Sequence, residues 1–499
     1  MTILDAHLPV LQVVVPLLIS PLVMILRPSG LAWAAATATS FMALMISVSL
    51  AGHVLAGEPV VYELGEWAAP YGIALSVDSF GVLLLLVLTG ASTLALLAGK
   101  ASLDRQLDPK RQPMFLTAWL LVLAGLSGIL VSADAFNIFV FMEISSLASY
   151  ILVAGGPDRR AMPAVFKYLV MGTIGATFYL IGVGLVYMMT GTLNLADIQL
   201  RIQDVADLRP ILVAAGFITV GLGLKAAVFP LHVWLPNAYN FAPHPATVFL
   251  AACATKVSLY VLLGFDFVVF QQNLMGHETQ FAAFLMPLAV LGILAASGVA
   301  LFEPNLKRLL AYSSVAQISY ILLGASMVSL PGLTGSLMHM FNHALAKGAL
   351  FMAVMCLTMR FSSLELSQLA GAGRRMPWTM AAFVVAGFSL IGVPGTAGFT
   401  SKWYLLSASL ELGSGGWILV GVIVTGSLMA VAYIWRVVEA AWFRQPEAGA
   451  EAVEVEEAPA LMLAVTWVAA LANIYFGLAP WLQTTLATDG ARMLLGVAP

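Results

Sequence analysis

Gly223 to Tyr239 reads "GLKAAVFPLHVWLPNAY". Lys225 stands there in the last turn of an apolar helix, five residues before Pro230. The chain around it is apolar from end to end. Of 499 residues 61% are hydrophobic and 9% charged, where soluble domains run near 25% charged. Apolar stretches of about 20 residues recur throughout, each long enough to cross roughly 30 Å of hydrocarbon as a helix. A membrane barrel needs short alternating strands, and almost none are read. The backbone is therefore expected to satisfy its hydrogen bonds within helices, in an all-α polytopic membrane bundle with no soluble domain.

About fourteen spans are expected: 8–26, 30–52, 77–99, 113–132, 134–154, 163–189, 211–229, 245–270, 280–302, 306–328, 331–358, 378–411, 415–442 and 459–482. The first follows Asp5 and His7 with no basic region or small-residue cleavage site, so it reads as a retained helix. The twelfth is too long for one straight crossing and contains "GVPGTAGF", Gly392 to Phe399, which predicts a broken helix. Cys253 and Cys356 lie in apolar segments without C-x-x-C spacing, so neither a disulfide framework nor an iron–sulfur site is expected. The net charge of −3 favours neither nucleic acid nor anionic lipid.

Basic residues give the orientation. Fourteen of the 22 fall in loops after odd-numbered spans, among them Lys100, Arg105, Arg159, Arg160, Arg360, Arg374 and Arg375; the opposite side has Arg201, Arg209 and Arg492. By the positive-inside rule the odd loops are cytoplasmic and both termini extracytoplasmic. Lys307 and Arg308 read as topology determinants, and the acidic run Pro446 to Pro459 as a solvated cytoplasmic loop.

Of the five basic residues left, Lys167 lies near the cytoplasmic start of the sixth span and can snorkel, and four lysines lie inside apolar spans: Lys225, Lys256, Lys347 and Lys402. At roughly 2.5 to 3.5 kcal/mol each, they would cost about 10 to 14 kcal/mol if nothing compensated. They must be paired, hydrated or neutral, and each option makes a lysine whose proton affinity depends on its surroundings. Glu143, in "NIFVFMEISSLASY", is the intramembrane acid available as a partner. His339, His343 and Lys347 fall at spacings of four and eight, one polar face of a helix. Blander readings exist. A lysine near a helix end is usually a snorkelling anchor, and Glu143 could be a structural counter-charge. His339, Asp78 and Asp134 read as interface or packing residues. Haem ligation is disfavoured because His339 and His343 share one helix instead of facing each other. No phosphate loop, zinc spacing or nucleophile elbow is present, so no cofactor or metal is expected, and chemical catalysis by this chain alone is not.

"LKAAVFPLHVWLPNAYNFAPHPATVFL", "FEPNLKRLLAYSSVAQISYILLG" and "FNHALAKGALF" resemble the antiporter-like proton-translocating subunits shared by respiratory complex I, membrane-bound hydrogenases and Mrp-type cation/proton antiporters. Within that family, "YELGEWAAPYGIALSVDSFGVLLLLV" and "NIFVFMEISSLASYILVA" are most similar to the D-type component of the Mrp antiporters. The resemblance implies two inverted five-helix repeats with breaks in spans seven and twelve, here residues 113–270 and 271–444, after three N-terminal spans in 1–112 and before an acidic loop and last helix in 445–499. It implies a relay in which Glu143 tunes Lys225, followed by Lys256, His343, Lys347 and finally Lys402 near an exit. It places the chain in a bacterial plasma membrane, with other membrane subunits, protons and a monovalent cation such as Na⁺ as partners.

Three functions remain open at this point. The first is a component of a cation/proton antiporter, and the second a pump module of a redox complex. The third, a structural component with vestigial polar residues, is disfavoured by Glu143 and the four lysines. About 17 residues follow the last expected span, which argues against the relatives with long C-terminal extensions.

Overall fold

The computed structural model describes residues 3–57, 59–271, 277–444 and 455–497. Among them, twelve helices are long and apolar enough to cross a bilayer. In chain order the helices are α1 (Leu8–Ile25), α2 (Ser29–Leu55), α3 (Ser79–Gln106), α4 (Gln112–Val131), α5 (Ala135–Ala154), α6 (Ala161–Thr190), α7 (Arg209–Lys225), α8 (Leu235–Phe241), α9 (His244–Leu263), α10 (His277–Phe302), α11 (Leu306–Ser326), α12 (Leu330–Leu357), α13 (Pro377–Ile391), α14 (Ala397–Glu411), α15 (Gly416–Trp442), α16 (Ala460–Leu478) and α17 (Trp481–Leu495). Two interrupted pairs, α7 with α8 and α13 with α14, stand at the places of the seventh and twelfth expected spans in this polytopic helical membrane bundle. Both breaks fall in the expected spans, although α7 stops at Lys225 and not at 229.

The sequence explains where helices begin. Asp78 accepts from the Gly81 amide at 2.7 Å and Asp134 from the Asn137 amide at 2.8 Å, so both acids cap helices, α3 and α5. Asn305 does the same for α11 through the Lys307 and Arg308 amides. α11 and α12 are buried along almost their whole length, whereas α1, α6, α15 and α16 expose apolar faces such as Leu18, Phe166, Ile418 and Leu471. In lipid those faces need no cover, and close packing and polar contacts hold the helices together. α12 is the hub, packed against α3, α9, α11, α13, α14, α16 and α17.

Loops of like parity share a face. After odd-numbered spans, Arg105 Nη1 donates to Met359 O at 2.7 Å, Arg160 lies 4.9 Å over the Phe241 ring, and Lys307 Nζ donates to Ala242 O at 2.7 Å. Lys307 is thus a buried tie, 2% exposed, as well as a topology charge. After even-numbered spans, a hairpin of β1 (Val60–Glu63) and β2 (Ala74–Val77) pairs Val60 with Val77; Leu75 bridges Ser132, and Asp134 bridges Asn194.

Three features depart from expectation. The hairpin is a small β element in a chain read as helical. The last span ends at Leu478, and Pro480 precedes α17, which buries Leu486, Ala487, Ala491 and Leu494. The acidic run is not wholly solvated: residues 445–454 lie outside the described residues, but Glu456 and Glu457 dock on the start of α13.

Candidate functional site

At the first break the Ala226 amide reaches back to Leu222 O at 2.8 Å, and Ala227 turns left-handed at φ 57°, a conformation uncommon for a residue with a Cβ. The Trp234 indole donates to Leu224 O at 2.9 Å, occupying a carbonyl freed at the helix end. Lys225 projects from this end toward α5. Its Nζ donates to Ser146 Oγ at 2.6 Å and lies 3.6 Å from Glu143 Oε1. The side chains are 7% and 30% exposed respectively, so the lysine is enclosed and the Glu143 side chain is partly exposed although its Oε1 is buried. Behind them a cavity of about 30 Å³ is lined by Lys225, Ser145, Ser146, Ser149, Tyr150, Tyr168 and, from α9, Ser258. That is polar and roomy enough for about one or two waters.

The middle of the molecule holds the next expected residues. Lys256, 1% exposed, donates to Ala251 O at 2.5 Å within its own helix. Lys347, fully buried, donates to Leu310 O at 2.7 Å and to Ser313 Oγ. His343, 2% exposed, lies one turn before Lys347 on α12. Neither of its buried ring nitrogens has a hydrogen-bond partner among the described residues.

His339, expected to be an interface or packing residue, hydrogen-bonds to two neighbouring helices. Its Nδ1 pairs with Ser401 Oγ and its Nε2 with Gln317 Oε1, both at 2.8 Å, and its ring lies 6.2 Å from that of His343, nearly parallel. The sequence carries a signal for this, since His339 lies four residues from His343 and Ser401 adjoins Lys402. It carries none for Gln317, which α11 brings in.

At the second break Gly392 takes φ 91° and Gly395 φ 86°. Lys402, one turn into α14, folds back so that its Nζ donates to Leu390 O at 3.2 Å, Ile391 O at 2.9 Å and Ser427 Oγ at 3.0 Å, and lies 4.9 Å over the Tyr320 ring. The ammonium thus sits at the carbonyl end of α13, where the helix dipole favours a cation. The structure brings Glu143 and Lys225 together directly, sets His343 and Lys347 one turn apart on α12, which packs against the α9 helix of Lys256, and joins His339 to Ser401, the residue before Lys402.

Relatives of known kind share this architecture. The family described as "NADH:quinone oxidoreductase/Mrp antiporter, TM" matches residues 132–430. The N subunit of the NADH-quinone oxidoreductase of Desulforudis audaxviator is 40% identical over 456 residues, covering 90% of this chain and 89% of that one. The D subunit of the Na(+)/H(+) antiporter of Bacillus subtilis is 29% identical over 413 residues, 82% of each. A chain of the "membrane-bound sulfane sulfur reductase (MBS), an archaeal respiratory membrane complex" superposes with a TM-score of 0.89 over 98% of both chains at 29% identity. A match over more than half the length, together with a near-full-length relative at 40% identity, means that the chain belongs to the NADH:quinone oxidoreductase/Mrp antiporter family of membrane subunits.

Proposed function

We propose that this chain is a proton-translocating membrane subunit of a multisubunit complex. The observation that carries the reading is the Lys225–Glu143 pair, held 3.6 Å apart at a helix break and backed by a polar cavity. Intramembrane ionisable groups of this kind mark proton or ion pathways. When Glu143 approaches, it favours the protonated lysine; when the pair separates, the enclosed ammonium loses its counter-charge and passes its proton inward. Lys256, His343 and Lys347 continue the path, and the orphaned nitrogens of His343 are suited to a relay that closes only while a proton passes. Lys402 ends it. Residues 113–270 and 271–444 act as the two units of the relay, each with one break.

Glu143 also bears on partners. Its side chain, on a membrane-spanning helix, is 30% exposed, and a charged side chain is poorly served by lipid, so a neighbouring membrane subunit covers it. We place the complex in a bacterial plasma membrane with both termini of this chain outside.

The driving force has two readings with specific support. The Mrp-like motifs and the Bacillus antiporter relative favour an antiporter exchanging Na⁺ or another monovalent cation for protons. The 40% identical relative, a redox-complex component by name, favours a pump driven by electron transfer elsewhere in the complex. Gentle purification through a C-terminal tag and mass spectrometry of the co-purifying chains separates them. Small membrane subunits without redox cofactors support the antiporter; flavin, iron–sulfur or nickel-bearing chains support the pump. Proton flux in vesicles carrying the complex tests the shared path: full flux with Lys225→Ala would remove it.

A further inference from the structure

One buried acid lies outside this path. Asp266 sits where α9 widens into a π-helical segment, Gly264–Gln271. It is 2% exposed although it lies four residues from the end of the His244–Phe270 span. An acid near a span end normally reaches water directly; this one is turned inward against α7, where Thr219 Oγ1 donates to its Oδ1 at 3.3 Å. Thr219 precedes Lys225 by six residues, roughly 9 Å along the α7 axis. Asp266 therefore lies between the level of the Lys225–Glu143 pair and the face that carries the β1–β2 hairpin, opposite the basic loops.

The same π segment is also a wall. Its Gly264, Phe265, Val268 and Val269 line a cavity of about 430 Å³ on that face, which includes the polar groups of Asp78, Gln199 and Tyr260. One side of the segment thus presents Asp266 to α7, and the other borders this cavity, whose mostly apolar wall carries the polar groups of Asp78, Gln199 and Tyr260. π segments within α-helices concentrate at functional sites because the widened turn re-aims side chains and loosens the hydrogen-bond ladder.

We infer that Asp266 is a proton-accepting group of a second outlet, which belongs to the first helix unit and leads from the level of Lys225 to the hairpin face without passing through Lys347 and Lys402. This rests on the proton-translocation reading. Each transfer is a simple exchange, in which the carboxylate takes a proton from the Lys225 side and the carboxyl group gives it up toward the hairpin face.

The test uses the assembled complex in sealed vesicles, with subunit content checked by co-purification. Asp266→Asn keeps the side chain's size and an acceptor for Thr219 while removing the titratable group. It is expected to lower proton flux roughly tenfold, about 1.4 kcal/mol in the limiting step, and Asp266→Glu is expected to restore it. Rescue by Glu separates a proton acceptor from a structural acid. Lys225→Ala is measured in parallel. If it abolishes flux while Asp266→Asn transports at the full rate, the outlet is refuted and the main relay stands; if Lys225→Ala itself transports normally, the underlying reading has failed. Should Asp266→Asn not assemble, Thr219→Val removes only the hydroxyl donor; an assembled complex with several-fold slower flux supports the outlet, and one with unchanged flux overturns it.

Discussion

The two broken crossings solve one problem in different ways. At the first, Lys225 closes α7 and meets a carboxylate on a neighbouring helix, Glu143 at 3.6 Å. At the second, Lys402 opens α14 and meets two carbonyls, a hydroxyl and an aromatic face, with no carboxylate in ion-pair contact among the described residues. An ion pair binds an ammonium strongly but varies with the separation of its partners; a fixed carbonyl cage solvates it steadily whatever moves nearby. The first break is thus built to respond and the second to receive.

The largest expected effect comes from removing the responsive lysine. Lys225→Ala should lower proton flux at least about a hundredfold, the range for losing a positioned proton-transfer group, while the complex still co-purifies with its partners. Next comes making the second break resemble the first. Ser427 Oγ is 3.0 Å from Lys402 Nζ, so Ser427→Asp places a counter-charge beside the receiving lysine. In the Asp266→Asn background, where the second outlet is closed, that pair would hold the ammonium in place and slow the remaining flux roughly tenfold, a change of about 1.4 kcal/mol, although every residue of the main relay remains. Unchanged flux on adding Ser427→Asp in that background would show that the absence of a carboxylate at the second break carries no functional meaning.

The backbones differ as well, and predict stability changes of opposite sign. Gly392 has φ 91°, and a Cβ there would lie 2.9 Å from Lys402 Cδ. Gly392→Ala should therefore cost about 1 to 3 kcal/mol, read as a lower thermal midpoint in detergent. Ala227, at φ 57°, already bears that strain at the first break. Ala227→Gly should stabilise, by about 0.5 kcal/mol after the added chain entropy is counted. If both substitutions shift the midpoint the same way, the backbone contrast between the breaks is wrong.

The same contrast governs what is legible in the sequence. The second break is legible because two glycines and a proline interrupt an overlong apolar run. The first falls four residues earlier than the sequence indicates because its left-handed residue is an alanine, which no local preference marks. Glu143, Lys225, Lys256, Lys347 and Lys402 stand out because charge in an apolar span is conspicuous. Their pairing does not, since Ser146, Ser313, Gln317 and Ser427 are ordinary membrane-helix residues until packing sets them beside an ammonium or an imidazole. Asp266 is inconspicuous because a π turn, invisible in composition, turns an end-of-span acid inward. α17 is hidden because "TTLATDGA" is too polar to read as a crossing and its buried face depends on α12.

The smallest expected effects lie where the acidic loop holds the start of α13, the half-helix whose carbonyl end solvates Lys402. Glu457 accepts from the Trp378 amide at 2.6 Å and from Thr379 Oγ1 at 2.7 Å, a capping arrangement supplied from 78 to 79 residues away. Glu457→Ala should lower stability by about 1 kcal/mol. Beside it Glu456 lies 2.7 Å from Arg375 and 3.8 Å from Arg360. The Arg375 hydrogen bond first, and the Arg360 charge second, hold its carboxyl below the usual glutamate range. A depressed carboxyl contributes stability that is fully present above its unfolded value and is lost as pH falls through its folded value. The difference in thermal midpoint between the unaltered chain and Glu456→Gln should accordingly stay constant from about pH 7 to about pH 5 and shrink below about pH 4. Because the pair is open to solvent, the difference should be small and should fall with added salt. A difference that grew on acidification would mean that Glu456 is not held by the arginines, and that only Glu457 fixes the entrance to the second break.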